Sequence, residues 1–113
     1  MQKNKPLDRG DIVLVDCTEY QEGHEIRGQR PAVVITVGEY NKRNNLIICC
    51  PITNTIRNHP FEVKFPTGGT TRGVVLVHHI RGFDKNTRRI RRIDEVPKEV
   101  LEEIMAKLDV LIR

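Results

Sequence analysis

The chain has 113 residues with 38% hydrophobic and 30% charged residues and no Trp, enough for one domain that buries roughly two-thirds of its unfolded surface. No apolar run approaches the ~20 residues of a membrane span, and three cysteines, two of them adjacent, make a poor disulfide framework. Residues 1–93 carry a balance of +7 and the last twenty residues −3, so the net charge of +4 conceals a basic body and an acidic end. MQKNKPLDRGD runs straight into a strand-like stretch without the features of a secretory signal. The expectation is a single cytoplasmic domain, 1–113, with residues 1–8 as an N-terminal extension and no membrane association.

In chain order, the turn Arg9-Gly10-Asp11 precedes a first strand, Ile12 to Val15. The fourteen-residue connector Asp16 to Gln29 follows, a length that usually serves function. Pro31 to Val37 and Leu46 to Cys50 are nearly continuous apolar runs, which predicts central strands covered on both faces. Phe61 to Phe65 alternates and predicts a half-exposed strand, and Gly73 to His79 predicts another. Gly, Pro and Asn connectors separate these runs at the spacing of a small barrel or sandwich rather than of βαβ units. Residues 97–112 predict a C-terminal helix, with Val100, Leu101, Ile104, Met105, Leu108, Leu111 and Ile112 on its apolar stripe and Pro97 in its first turn. Glu99, Glu102, Glu103 and Asp109 form its wet face. The fold class is mainly β: a small β-barrel with a terminal helix.

The long connector brings His24, Glu25, Arg27, Gln29 and Arg30 close in sequence. Arg30 precedes Pro31, so its backbone is biased to extended conformations, and a fixed guanidinium clamps phosphate well. The alternative is a structural Arg tying the loop to a carbonyl. Thr53, with Asn54 beside it, falls where a central strand emerges; its hydroxyl suits either a phosphate oxygen or a turn. His78 and His79 end a predicted strand, where alternation directs them to opposite faces, and near Arg81 they suit acid–base work at neutral pH. His59 reads as a loop residue. Arg81, Lys85, Arg88, Arg89, Arg91 and Arg92 surround one acid, Asp84, forming either a phosphate-attracting cluster or a solvated surface. Neither metal-ligand spacing nor a phosphate-binding Gly loop is present. No metal and no cofactor are expected.

Taken in order, GDIVLVD (10–16), GHEIRGQRPAVVIT (23–36), Tyr40-Asn41, CPIT (50–53), HPFEV (59–63) and GVVLVHHIRGFD (73–84), with a helix ending LDVLI, resemble the MazF/PemK (Kid) toxins of toxin–antitoxin modules. The resemblance implies an SH3-like, PemK-like barrel forming a homodimer. It also implies a ribosome- and metal-independent mRNA interferase that cuts single-stranded RNA at short sequences, arresting growth. Attack by the 2′-hydroxyl leaves a 2′,3′-cyclic phosphate, or its opened 3′-phosphate, and a 5′-hydroxyl.

The family's Arg before Pro falls on Arg30, its rim Thr on Thr53, its loop carboxylate on Glu25 and the loop His of the Kid branch on His24. Arg30, Thr53, Glu25, His78 and His24 are thus the candidate catalytic residues, and Gln29, Asn54, His79, Arg81 and Lys85 the candidate RNA contacts. The chain departs from many relatives at His78 and His79, where they carry Asp or Glu followed by Gln, at Leu76, where the Kid branch has Arg, and at Ile26 in place of Gln. The implied partner is an antitoxin with a flexible, acidic C-terminal tail that blocks the groove, DNA being reached only through the toxin–antitoxin complex. Two other readings stay open: an inactive RNA-binding or autoregulatory module, and a CcdB-like gyrase poison. The latter relies on a C-terminal Trp-Gly-Ile, whereas this chain ends Leu-Ile-Arg.

Overall fold

Gly10, at φ +95°, turns the chain so that its N–H reaches the Val34 carbonyl and its carbonyl accepts from Val96, both at 2.8 Å. A side chain there would press on Leu101. This turn launches the first of nine strands in the computed structural model, which describes residues 5–17, 19–21, 24–26 and 28–113, with side-chain surroundings outside 18–27. The strands are β1 (Asp11–Asp16), β2 (Glu19–Gln21), β3 (His24–Ile26), β4 (Gln29–Val34), β5 (Leu46–Thr53), β6 (Glu62–Lys64), β7 (Val74–Leu76), β8 (Arg81–Asp84) and β9 (Ile90–Glu95). Two helices, α1 (Gly38–Asn41) and α2 (Lys98–Ile112), and a 3₁₀ turn, Val77–His79, complete the described elements.

The main sheet is antiparallel in the order β6-β7-β5-β4-β1-β9. The eight-residue β5 changes partner along one edge, pairing with β8 through Leu46–Cys49 and with β7 through Ile52 and Thr53. The sheet therefore bends at β5. It is barrel-like but open, since β6 and β9 end the path without pairing each other. β2 and β3 form a separate two-stranded sheet inside the connector that precedes β4.

The apolar runs in β4 and β5 are continuous because both faces are covered. Ile12, Val33, Cys50 and Ile52 face one way, toward Val100, Ile104 and Leu108 of α2. Val13, Val15, Ala32, Val34, Ile47 and Cys49 face the other, around Phe83. At about 25 cal/mol per Å² of apolar surface removed from water, these two clusters are the main favourable contribution to folding.

Several local expectations change. Pro97 caps α2 instead of lying in its first turn, its carbonyl accepting from Val100 and Leu101 at 3.0 and 3.1 Å. The buried stripe ends at Leu108; Leu111 and Ile112, expected on it, are 40% and 72% exposed. In β6, Glu62 and Val63 are both buried, against the expected alternation. The Glu62 carboxylate accepts the Arg57 N–H and its carbonyl accepts Lys107 Nζ at 3.0 Å, so loop and helix cover it. The strand begun at Val74 stops at Leu76, where the backbone tightens into the 3₁₀ turn and Val77 plugs the core. The basic run 81–92 supplies β8 and β9, joined by a turn in which Asp84 Oδ1 accepts the Asn86 N–H at 2.8 Å.

Asn41 explains the Tyr40-Asn41 pair. Its buried Nδ2 donates to the carbonyls of Leu7 (2.7 Å) and Thr36 (2.8 Å), tying the N-terminal segment to the β4–β5 connection. Replacing it removes both hydrogen bonds from these half-buried carbonyls. Asn41→Ala is expected to lower the unfolding free energy by about 2 kcal/mol, measured by urea denaturation; a change below about 0.5 kcal/mol would contradict this anchoring role.

Candidate functional site

β4 pairs with β5 so that Ala32 faces Pro51, Val33 faces Cys50 and Val34 faces Cys49. Continued two residues outward, that register sets Arg30 and Thr53 at the same level of neighbouring strands. Side chains opposite one another in an antiparallel pair are close neighbours. Both residues line a cleft of about 770 Å³, together with Asn54, Thr55, Thr70, Thr71 and Arg72. Its floor is apolar, from Leu14, Pro31, Ile52 and Ile93, and among the described residues lining it there is no carboxylate. Two guanidiniums, four residues with hydroxyl side chains and an amide over an apolar floor suit an anionic, partly apolar ligand.

Gly73 holds the Thr53 end of this cleft. It sits at φ +97°, and a Cβ there would lie 2.3 Å from the Thr53 carbonyl oxygen. The Thr53 hydroxyl accepts the Thr55 N–H at 3.1 Å, the turn-forming role open to a strand-end Thr. Its own O–H remains a donor. Across the cleft, Thr70 Oγ1 donates to Asp94 Oδ2 at 2.8 Å, fastening the 66–72 connection to β9. The Glu95 backbone N–H and this Thr70 bond hold the Asp94 carboxyl below its ordinary range.

A second cleft, about 500 Å³, meets the first at Thr53 and Thr55 and is lined by Arg57, His59, Glu62, His78 and His79 among others. The His59 and His78 rings stack at 4.0 Å, within 5° of parallel, and His79 meets His78 edge-on at 4.5 Å. The expectation that His78 and His79 point to opposite faces fails because the 3₁₀ turn replaces strand geometry. His59, read as a loop residue, joins the cluster; its Nδ1 accepts the Phe61 N–H at 3.1 Å. Burial, then the neighbouring His59 and His79, lower the His78 pKa below its ordinary value, with Glu62 opposing. His78 Nδ1 is enclosed and has no hydrogen-bond partner among the described residues.

The other candidates are dispersed. Gln29 opens β4 opposite Asp16. His24 and Glu25 fall in β3, but their side chains lie outside the described residues. Arg81 stacks its guanidinium over Phe83 at 4.7 Å, and Lys85 Nζ reaches the Asn41 carbonyl on another surface. Cys49 and Cys50 are buried, their thiols pushed up to about 12 chiefly by burial, so they remain protonated at neutral pH. Arg72, Thr70 and Thr71 join the cleft without a clear mark in the sequence. Their signal is faint: a hydroxyl-rich Thr-Thr-Arg run following Gly68-Gly69 and leading into Gly73.

The bent antiparallel sheet sealed by a C-terminal helix matches the fold of MazE-MazF (Form-II) from Deinococcus radiodurans. That crystal structure matches with a TM-score of 0.86 and 39% identity over 94% of this chain and 95% of that one. The chain is 36% identical to the endoribonuclease toxin ChpB of Escherichia coli K12 over 117 residues, 99% of each protein, and 34% identical to the endoribonuclease toxin MazF of the same strain over 105 residues, 93% of each. Residues 8–112 match the family described as PemK-like, MazF-like toxins of type II toxin-antitoxin systems, and the chain belongs to that family.

Gly73→Ala is expected to cost about 2 to 4 kcal/mol from backbone strain and the clash with the Thr53 carbonyl. Gly28→Ala, where a Cβ meets nothing within 4 Å among the described residues, is expected to be near neutral. Equal urea midpoints for the two variants would show that the Gly73 contact does not hold the strand end.

Proposed function

We propose that this chain is a sequence-specific endoribonuclease toxin that cuts single-stranded RNA by attack of the 2′-hydroxyl and is restrained by a cognate antitoxin. The observation that carries this is the joining, through Thr53 and Thr55, of an arginine- and threonine-lined cleft to a cleft holding three imidazoles. The curated relatives' endoribonuclease activity supports it. Cleavage of this kind needs an anion clamp and proton transfer, and the nucleophile comes from the substrate. DNA lacks that hydroxyl and is not cut.

In the proposed reaction the 2′-oxygen attacks the adjacent phosphorus as its proton passes to a base, and the P–O5′ bond breaks as an acid protonates the departing oxygen. The products are a 2′,3′-cyclic phosphate and a 5′-hydroxyl. Arg30 neutralises the charge that builds on the phosphorane, and the Thr53 hydroxyl donates to the same group. His78, favoured in its neutral form, is the base. His24 or Glu25 serves as the acid, with Gln29, Asn54 and His79 contacting flanking nucleotides. The chain acts as a homodimer in the cytoplasm, and the acidic tail of the antitoxin occupies the cleft as it orders.

Purified protein incubated with a long RNA in EDTA is expected to yield discrete fragments with 5′-hydroxyl ends, and Arg30→Ala to cut about 10² to 10³ more slowly. Intact, bound RNA would instead identify a binding module, and unchanged cleavage by Arg30→Ala would remove that guanidinium from the reaction.

Because the His78 pKa is lowered, protonation switches the base off only below its ordinary value near 6.5. The rate of cleavage should therefore fall as the solution is made more acid than about 6.5. His78→Ala should be slower and lack that acid limb; an identical limb in the variant would assign the titration to another group.

A further inference from the structure

β9 separates two clefts. Ile93 contributes to the floor of the cleft that holds Arg30 and Thr53, while Ile90, Arg91 and Arg92 line a third cleft of about 730 Å³ with Lys5, Pro6, Leu7 and Lys85. Arg91 and Ile93 are two positions apart, roughly 7 Å along the strand at 3.3 Å per residue. β9 is the last strand of its sheet, so among the described residues no further strand walls one cleft from the other.

The cations of the third cleft fall into two kinds. Arg92 is committed to Asp11, at 3.1 Å, and to Glu95, at 3.7 Å, and Lys85 to the Asn41 carbonyl. Lys5 and Arg91 are exposed and have no acidic partner among the described residues. Two unneutralised cations over a partly apolar floor are a phosphate site in waiting.

We propose that this cleft is an exosite for single-stranded RNA, in which Lys5 and Arg91 hold backbone phosphates of the segment that continues past the cleavage cleft; the proposal rests on the ribonuclease reading above. RNA is favoured over an acidic polypeptide because the two clefts adjoin across one open strand edge. A single polyanion seated at Arg30, Arg72 and Thr53 reaches Lys5 and Arg91 simply by continuing around β9. The exosite raises affinity for long strands through counterion release, without reading sequence.

The test uses mixed-sequence 2′-O-methyl RNA of about six and about twenty nucleotides, which lacks the nucleophile, so binding is read apart from cleavage. Affinities are measured by fluorescence anisotropy from about 50 to about 200 mM salt. Wild-type protein is expected to favour the longer strand. Lys5→Gln/Arg91→Gln should shrink that preference about tenfold and flatten the salt slope by about 1.4, two phosphate contacts at about 0.7 each. Lys64→Gln/Lys98→Gln, which removes the same charge outside the three clefts, should retain both. An unchanged preference in the first variant, or an equal loss in the second, would overturn the exosite. So would an Asp- and Glu-rich peptide whose binding depends on Lys5 and Arg91 while that of RNA does not. Length-dependent binding by a protein that cuts no RNA would support the exosite and overturn only the ribonuclease reading.

Discussion

The register of β4 against β5 is the constraint on which the site depends. Ala32 faces Pro51, and the same alignment brings Arg30 and Thr53 level at the strand ends. A one-residue slip would exchange the two buried faces of each strand, moving Val33 and Cys50 away from α2. The core and the site are therefore specified together: the packing that covers both faces of these strands also sets Arg30 and Thr53 along one cleft. Gly73 completes the arrangement by letting one backbone close on the Thr53 carbonyl where any larger residue would collide.

The histidine cluster arises from a different device. A strand reaching His79 would have separated His78 from its neighbour, but the 3₁₀ turn at Val77–His79 sinks Val77 into the core and gathers three imidazoles beside Thr53 and Thr55. Protonating one ring of such a group disfavours protonating the next, and burial adds to the effect. A relative with a carboxylate at this position would work under a different electrostatic regime.

Charge along the C-terminal third also has a structural function. β9 is an edge strand, and Arg91, Arg92, Asp94 and Glu95 discourage pairing with another sheet. Arg92 and Asp94 are further used as ties, to Asp11 and to Thr70. The basic run is thus neither a uniform phosphate-binding patch nor merely a solvated surface, because neighbouring residues on a strand face different surroundings.

The sequence by itself determined the central strands, the helix and the family. Continuous apolar runs can be buried only between two covered faces, a repeat of three and four residues makes one helical stripe, and the ordered motifs from Gly10 to Asp84 are specific in combination. It also singled out Arg30, because the following Pro restricts its backbone, and Thr53, because it ends an apolar strand. Only the tertiary structure decided that Arg72 shares their cleft, that His59 stacks on His78, that Glu62 is buried and that Lys85 faces elsewhere. These relations join residues distant along the chain through strand order and one tightened turn, and local periodicity carries no record of which surfaces will meet.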